Sequence, residues 1–285
     1  MGAANLDHVG VAARDLAPLA AAYARLGFHL TPLARHSGRR APDAPVEPFA
    51  TGNRCIMLRQ GYIELIAIVA PGAFDNLVGP ALARYAGLHI IALGIDDETA
   101  EMARLRQAGI DIPGVAHLER PVDDAHPDGL RARFARLPLP DAPEGRIMLI
   151  RHLTPEAIWQ ERFLAHPNRA VALEEVVLAV ADPAAAAARF SRLAGRPVTP
   201  DPAGGFALGL PRGRVRLLPP EALDAVFPGV AAPALPFVAG IAVRTEDAGA
   251  AARRVLTEAS IATVAAPGGL LVPPAEAGGA AVVFR

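Results

Sequence analysis

The chain has 285 residues and not one lysine; all 28 of its basic residues are arginines, set against 29 acidic ones. Schiff-base and pyridoxal-phosphate chemistry need a lysine amine and are excluded. Cys55 is the one cysteine, which rules out intrachain disulfides and cysteine metal clusters, and in an apolar strand it reads as packing rather than as a nucleophile. Serine is nearly as scarce. Ser37, Ser191 and Ser260 occur without a G-x-S-x-G elbow, and no G-x-G-x-x-G or Walker sequence follows a strand, so hydrolase and nucleotide-binding readings have no support. A net charge of −1 leaves no basic field for a nucleic-acid partner. No apolar run reaches the roughly 18–20 residues that span a bilayer, and no basic stretch followed by an apolar one opens the chain. The expectation is a cytoplasmic protein with no membrane partner. With 52% apolar residues, the length suffices for two cores.

What the chain does contain is a repeat. LDHVGVAARDLAPLAAAYARLG, residues 6–27, alternates as a strand through His8, Gly10 and Ala12, turns at Arg14-Asp15, and takes helical spacing through Leu16, Leu19, Tyr23 and Leu26. The phrase returns at residues 172–194, where Asp182 follows Glu175 by the interval that separates Asp15 from His8. His89 to Asp96 and Gly240 to Asp247 keep the same interval. A unit that cannot bury its own apolar face must pair with its neighbours.

The first unit continues through a strand at 28–36, a loop at 37–52 rich in Pro, Gly and Arg, and strands at 53–60 and 62–68 about the Gln60-Gly61 turn, giving the order β-α-β-β-β. On the last strand Ile63, Leu65 and Ala67 point one way and Tyr62, Glu64 and Ile66 the other, so Glu64 is a carboxylate in an apolar stretch, costly unless paired or metal-bound. Turn signals at Pro71-Gly72 and Gly79-Pro80 lead to the second unit: strand 88–95, helix 98–108, strand 110–118, an acidic surface loop at 119–129, and a hairpin of 131–137 and 145–153 about PLPDAPEG. A connecting helix is expected over 154–166, with Thr154 as N-cap and Pro155 at its first position. The third and fourth units follow. The expected fold is α+β, with four tandem βαβββ modules forming two cupped mixed-sheet domains over 1–153 and 171–285, joined by a link over 154–170. Aligning Gly61, Gly145 and Gly213 and counting three residues on gives Glu64, Met148 and Arg216, with Val282 equivalent in the fourth unit. Only the first half concentrates ligand-type residues.

Tandem βαβββ units opening with LDHVGVAARDLAPLAAAYARLGF resemble the vicinal oxygen chelate superfamily, and TGNRCIMLRQGYIELIAI with RHLTPEAIWQERFLAHPN is similar to its glyoxalase-like branch. The resemblance implies a cupped eight-stranded sheet from each pair of modules, with divalent metal ligands on first and fourth strands. Carried over by position, these fall on His8, His89 and Glu64; the remaining ligand position, often a glutamate, falls on Met148, where this chain departs.

Two histidines and a carboxylate are a set that binds Fe(II), Mn(II), Ni(II) or Zn(II) and leaves positions open for substrate oxygens. Glu64 and His152 are the candidate catalytic groups; His152 shares the strand parity of Met148 and suits a base, a fourth ligand, or a hydrogen bond at the start of the 154 helix. Asn53 and Arg54 suit substrate contact or turn stabilisation, and Tyr62 and Met148 are candidate substrate contacts. Arg151, Arg131 and Arg133 suit a clamp on an acidic group or plain solvation. Trp159 and Phe163 read as interdomain packing, and His166 has no assigned role. The expected function is a metal-dependent glyoxalase-like enzyme acting on a small oxygen-rich substrate, by isomerase, lyase or dioxygenase chemistry. The alternatives are a metal-free small-molecule binding protein of the same fold and a structural role. A homodimer is compatible with all three.

Overall fold

The computed structural model describes residues 2–38, 45–70, 72–126, 128–139 and 142–285. Residues 39–44 of the first loop, Pro71 of the expected turn, and Pro140 and Asp141 of the hairpin loop lie outside them. The chain forms a mixed α+β fold, strand-rich with few helices.

Strand β1 (Asn5–Ala13) runs into helix α1 (Leu16–Arg25), then β2 (Ala34–Gly38), β3 (Glu47–Met57) and β4 (Tyr62–Ile68). β4 returns beside β1 in parallel, and the local strand order is β1-β4-β3-β2. After α2 (Val78–Arg84) the path recurs with β5 (Gly87–Gly94), α3 (Glu98–Gln107), β6 (Ala116–Pro121), β7 (Arg131–Pro138) and β8 (Arg146–His152), where β8 is parallel to β5. β1 and β5 pair antiparallel and join the two. The second half repeats this with β9 (Ala170–Ala179), α5 (Pro183–Ala194), β10 (Val198–Pro200), β11 (Phe206–Gly209) and β12 (Arg214–Leu218), then β13 (Phe237–Thr245), α7 (Ala250–Glu258), β14 (Val264–Ala266), β15 (Gly269–Val272) and β16 (Ala281–Phe284). β9 and β13 pair antiparallel as β1 and β5 do. A single pairing, Val238 with Leu88, links β13 to β5 and makes one sheet of the whole.

The recurring aspartate has a local physical cause. Asp15 accepts from the Ala17 amide at 3.0 Å and Asp182 from the Ala185 amide at 2.9 Å, each capping the helix after a first strand. In the second copy the cap is Asp97, one residue later than the interval, accepting from Thr99 and Ala100.

One face of each strand is apolar and packs under the helices: Val9, Val11, Ile63 and Leu65 belong to a core that continues through Val176, Leu178, Val215 and Phe284. The other face of the second half is also closed. Leu223 and Val226 on α6 (Leu223–Val226), with Phe227 after it, pack onto Val177, Leu218, Ala239 and Ala281. Gly240, at His8's interval, makes room for this packing, because a Cβ there would lie 2.8 Å from the Phe227 ring and 2.5 Å from the Ala281 carbonyl.

Several expected elements differ. The strand expected at 28–36 begins at Ala34, the one at 53–60 begins at Glu47, and the one at 110–118 is shifted to Ala116–Pro121. The connecting helix is broken. α4 (Pro155–Ile158) stops at Trp159, whose indole N–H donates to the Leu58 carbonyl at 2.9 Å, and a 3-10 turn follows at Glu161–Phe163. Thr154 makes no capping bond; its hydroxyl instead donates to the Arg131 carbonyl and accepts from the Arg133 amide. Trp159 and Phe163 pack against Cys55, Met57 and Tyr62 of the first half rather than between halves.

Candidate functional site

The first half leaves the concave face of its sheet open as a cavity of about 810 Å³, a volume suited to a small-molecule ligand. Strand alternation decides what it sees: Tyr62, Glu64 and Ile66 from β4, Phe134 and Arg136 from β7, Arg146, Met148, Ile150 and His152 from β8. His8, His36, Asn53, His89 and Arg120 also line it, with Arg84 and Glu119.

Around His8 the backbone leaves the regular ladder. The β1–β5 register slips between Leu6 and His8, so Asp7 is unpaired, and such bulges re-aim a side chain. The Asp7 carboxylate lies 2.8 Å from His8 Nδ1 and 3.0 Å from His152 Nε2. Burial would push this carboxyl up, but His152 and His8 outweigh it and hold Asp7 well below the usual carboxylate range. The His8 ring stacks on Tyr62 with centroids 4.3 Å apart, and His152 meets Trp159 edge-on at 4.9 Å. His152 Nδ1 is buried with no hydrogen-bond partner.

Glu64 sits deeper. Asn53 donates to its Oε1 at 2.6 Å, and His36 Nε2 lies 3.7 Å from the same oxygen. Burial pushes Glu64 up, yet His36, His8 and Asn53 together leave it below an ordinary glutamate, hence ionised. Burial also brings His36 down to about 4, with Glu64 opposing and Arg120, Arg146 and Arg136 reinforcing the drop. His36 is therefore neutral beside an anion.

His89 behaves differently from His8. The β1–β5 register slips again between Gly10 and Val11, where β5 passes from Ile90 to Leu88 and leaves His89 unpaired. Its ring stacks on Tyr85 at 4.1 Å, and Nε2 lies 2.8 Å from the Tyr85 carbonyl oxygen. The structure thus brings His8, Glu64 and His89 to one cavity without converging their ligand atoms. Among the described residues the one set of three whose ligand atoms all lie within 4.8 Å of one another is Asp7, His8 and His152.

Of the candidate substrate contacts, Asn53, Tyr62 and Met148 line the cavity. Arg54 does not; its Nε donates to the Thr31 carbonyl at 2.8 Å. Arg151 faces the other side of β8, paired to Glu98 at 2.8 Å, and Arg131 and Arg133 share Glu119. His166 accepts from the His29 amide and contacts the Met57 carbonyl, a structural tie.

A family model described as a glyoxalase-like domain matches residues 6–194. The chain belongs to the glyoxalase-like family. Among solved structures, a hypothetical protein from Staphylococcus aureus is 13% identical with a TM-score of 0.65, the match covering 99% of this chain and 98% of that one. An Mn(II)-bound glyoxalase from Novosphingobium aromaticivorans is 14% identical with a TM-score of 0.56, covering 99% and 82%. A variant of 4-hydroxymandelate synthase from Streptomyces coelicolor is 16% identical with a TM-score of 0.55, covering 94% and 78%. At these identities the likeness is one of fold. No protein of curated function matches the chain.

In this glyoxalase-like chain, Asp7, His36, Arg120, Arg136 and Arg146 are site residues that sequence reasoning passed over. Asp7 carried a signal in its adjacency to His8. Arg146 carried a stronger one, since it lies two residues before Met148 and shares its side of the strand.

Proposed function

We propose that the open concavity of the first half is the substrate site of a glyoxalase-like enzyme that uses a divalent metal to engage two adjacent oxygens of a small molecule. One observation carries this: His8 Nδ1 lies 2.8 Å from the buried Asp7 carboxylate, so Nε2 is the ring nitrogen left to meet a ligand in a cavity shared with ionised Glu64. An imidazole held in that way by a carboxylate is the usual setting of a metal-ligating histidine.

In kind, the donors suit Fe(II), Mn(II), Ni(II) or Zn(II). His8, Glu64 and His89 line one cavity, but their ligand atoms do not converge as they stand, so they would hold the ion together only with His89 released from its contact with the Tyr85 carbonyl. Bound there, the ion supplies Lewis acidity toward the substrate oxygens. The remaining work falls to the chain. Glu64, steadied by Asn53, can accept a proton from a carbon next to a carbonyl. His152, oriented through Nε2 by Asp7, has an unpartnered Nδ1 at which a proton can be held or delivered. Tyr62, whose phenol burial keeps protonated, covers one face of the His8 ring and excludes water from it. Two proton-transfer groups in one cavity favour isomerase or lyase chemistry over dioxygenase chemistry. In this reading residues 1–153 form the catalytic domain, 154–170 link it, and 171–285 form a buttress without a site.

The test is metal content after Mn(II) loading and desalting. The parent is expected to retain stoichiometric metal, and His8→Ala and Glu64→Ala each to lose it; variants that retain as much as the parent would remove the site. Met148 in the acid's place and the His89–Tyr85 contact favour a second reading, a metal-free binding protein of the same fold. A parent that retains no metal under these conditions selects it.

A further inference from the structure

The concavity holds more positive charge than proton transfer and metal binding use. Arg120 on β6, Arg136 on β7 and Arg146 on β8 all line it. Among the described residues none of the three forms an ion pair: Glu64 lies against Asn53 and the neutral His36, and Glu119 is taken by Arg131 and Arg133. The neutral contacts are few. Arg120 donates to the Pro121 carbonyl at 3.2 Å and Arg146 to the Asn76 carbonyl at 3.4 Å, while Arg136 Nε is buried with no partner. Arg84 and Glu119 also line the cavity, but Arg84 donates to the Pro143 and Pro236 carbonyls and Glu119 is already paired. The other three guanidiniums face one further carboxylate, Glu64, which leaves a surplus of two positive charges. Burying unpaired charge is costly and is compensated by a counter-ion.

The three guanidiniums project from three successive strands rather than from one point, which suits two separate planar groups better than one tetrahedral one. Each presents a fork that matches a carboxylate in two hydrogen bonds. We propose that Arg120, Arg136 and Arg146 bind the carboxylates of a dianionic small molecule, a dicarboxylic 2-oxo or 2-hydroxy acid. This rests on reading the concavity as the substrate site, and it joins the two chemistries there, because an oxygen next to a carboxylate supplies two adjacent oxygens.

The experiment is calorimetric titration of the full chain in EDTA, so that metal makes no contribution, with malate, 2-oxoglutarate and 2-hydroxyglutarate, with dimethyl 2-oxoglutarate as the uncharged control, and with glycerol 3-phosphate. A diacid is expected to bind, more weakly as salt rises, and the dimethyl ester to show no binding. Arg136→Gln and Arg146→Gln should each weaken the diacid by roughly tenfold or more, the loss of a charged hydrogen bond, with Arg136→Lys in between. The inference fails if no diacid binds, if the ester binds as tightly, if glycerol 3-phosphate binds more tightly than every diacid, or if the folded glutamine variants bind like the parent. Should a variant not fold, the contrast between diacid and ester on the parent still decides. Loss of metal binding in the preceding test would leave this result untouched.

Discussion

The two halves follow one strand path and fill it in opposite ways. In the second, the position of His8 is Glu175, whose carboxylate takes Arg214 at 2.5 Å, Arg285 at 3.1 Å and Arg216 at 3.5 Å, while Asp201 takes Arg216 through two bonds at 2.7 and 2.6 Å. Every one of those arginines has an acid. Where the first half carries His89, the second has Gly240, and Phe227 lies against it. The first half keeps an open cavity, three arginines without acids, and a buried Asp7 between two imidazoles. Chemistry is thus set by what occupies the concave face, and strand order alone is silent about it.

The sharpest way to break this contrast is to empty the closed half. Phe227 is fully buried among Leu223, Val226 and Phe237, and truncating such a ring leaves a cavity worth about 3–5 kcal/mol of stability. Phe227→Ala is expected to lose that much in urea denaturation, while metal retention and diacid binding in the first half stay at the parental level. A variant of parental stability would mean that the second concavity is not held shut by this ring.

A smaller effect separates the charges of the halves. The Asp201 carboxyl is raised by burial, but its bonds from Arg216 and the Ala203 amide outweigh this and leave it below its unfolded value of 3.8. A carboxyl with a depressed folded pKa contributes stability that is fully present above its unfolded pKa and is lost as pH falls through the folded one. Asp201→Asn should therefore be less stable than the parent at neutral pH, with the gap closing below about pH 4. A gap that is constant from pH 7 to pH 3 would show that the ionised carboxylate contributes nothing to this cluster.

Much of this was legible beforehand, and the reasons are local. Period-two alternation placed Glu64 and Tyr62 on the concave side of β4 and Ile63 and Leu65 on the other, as observed. The turn expected at Arg14-Asp15 is where α1 begins, and Asp182 stands at the same place before α5. The link at 154–166 misled because helix propensity ignores a tryptophan whose indole finds the Leu58 carbonyl and whose ring packs on His152 and Tyr62. Equal spacing along two strands does not give His8 and His89 the same surroundings, because β5 carries a bulge at His89, whose ring stacks on Tyr85. The closing segment at Leu223–Phe227 lies between β12 and β13 where the first half carries α2 between β4 and β5, and neither short helix has a periodicity that marks it in the sequence.

The arginines give the finest test of that alternation. Arg151 was a candidate clamp on grounds of charge, yet it is not among the residues that line the cavity and sits half-exposed against Glu98. An exposed pair of this kind contributes little to stability, because solvent and salt already screen it. Arg146, five residues earlier on the cavity side, has no acid partner and the opposite environment. Arg151→Ala is expected to leave thermal stability and diacid affinity at the parental level, under the same titration in which Arg146→Gln weakens binding. Equal losses in both variants would mean that net charge alone governs the site, and that the pleat of β8, which separates the two side chains, has no part in selecting what binds.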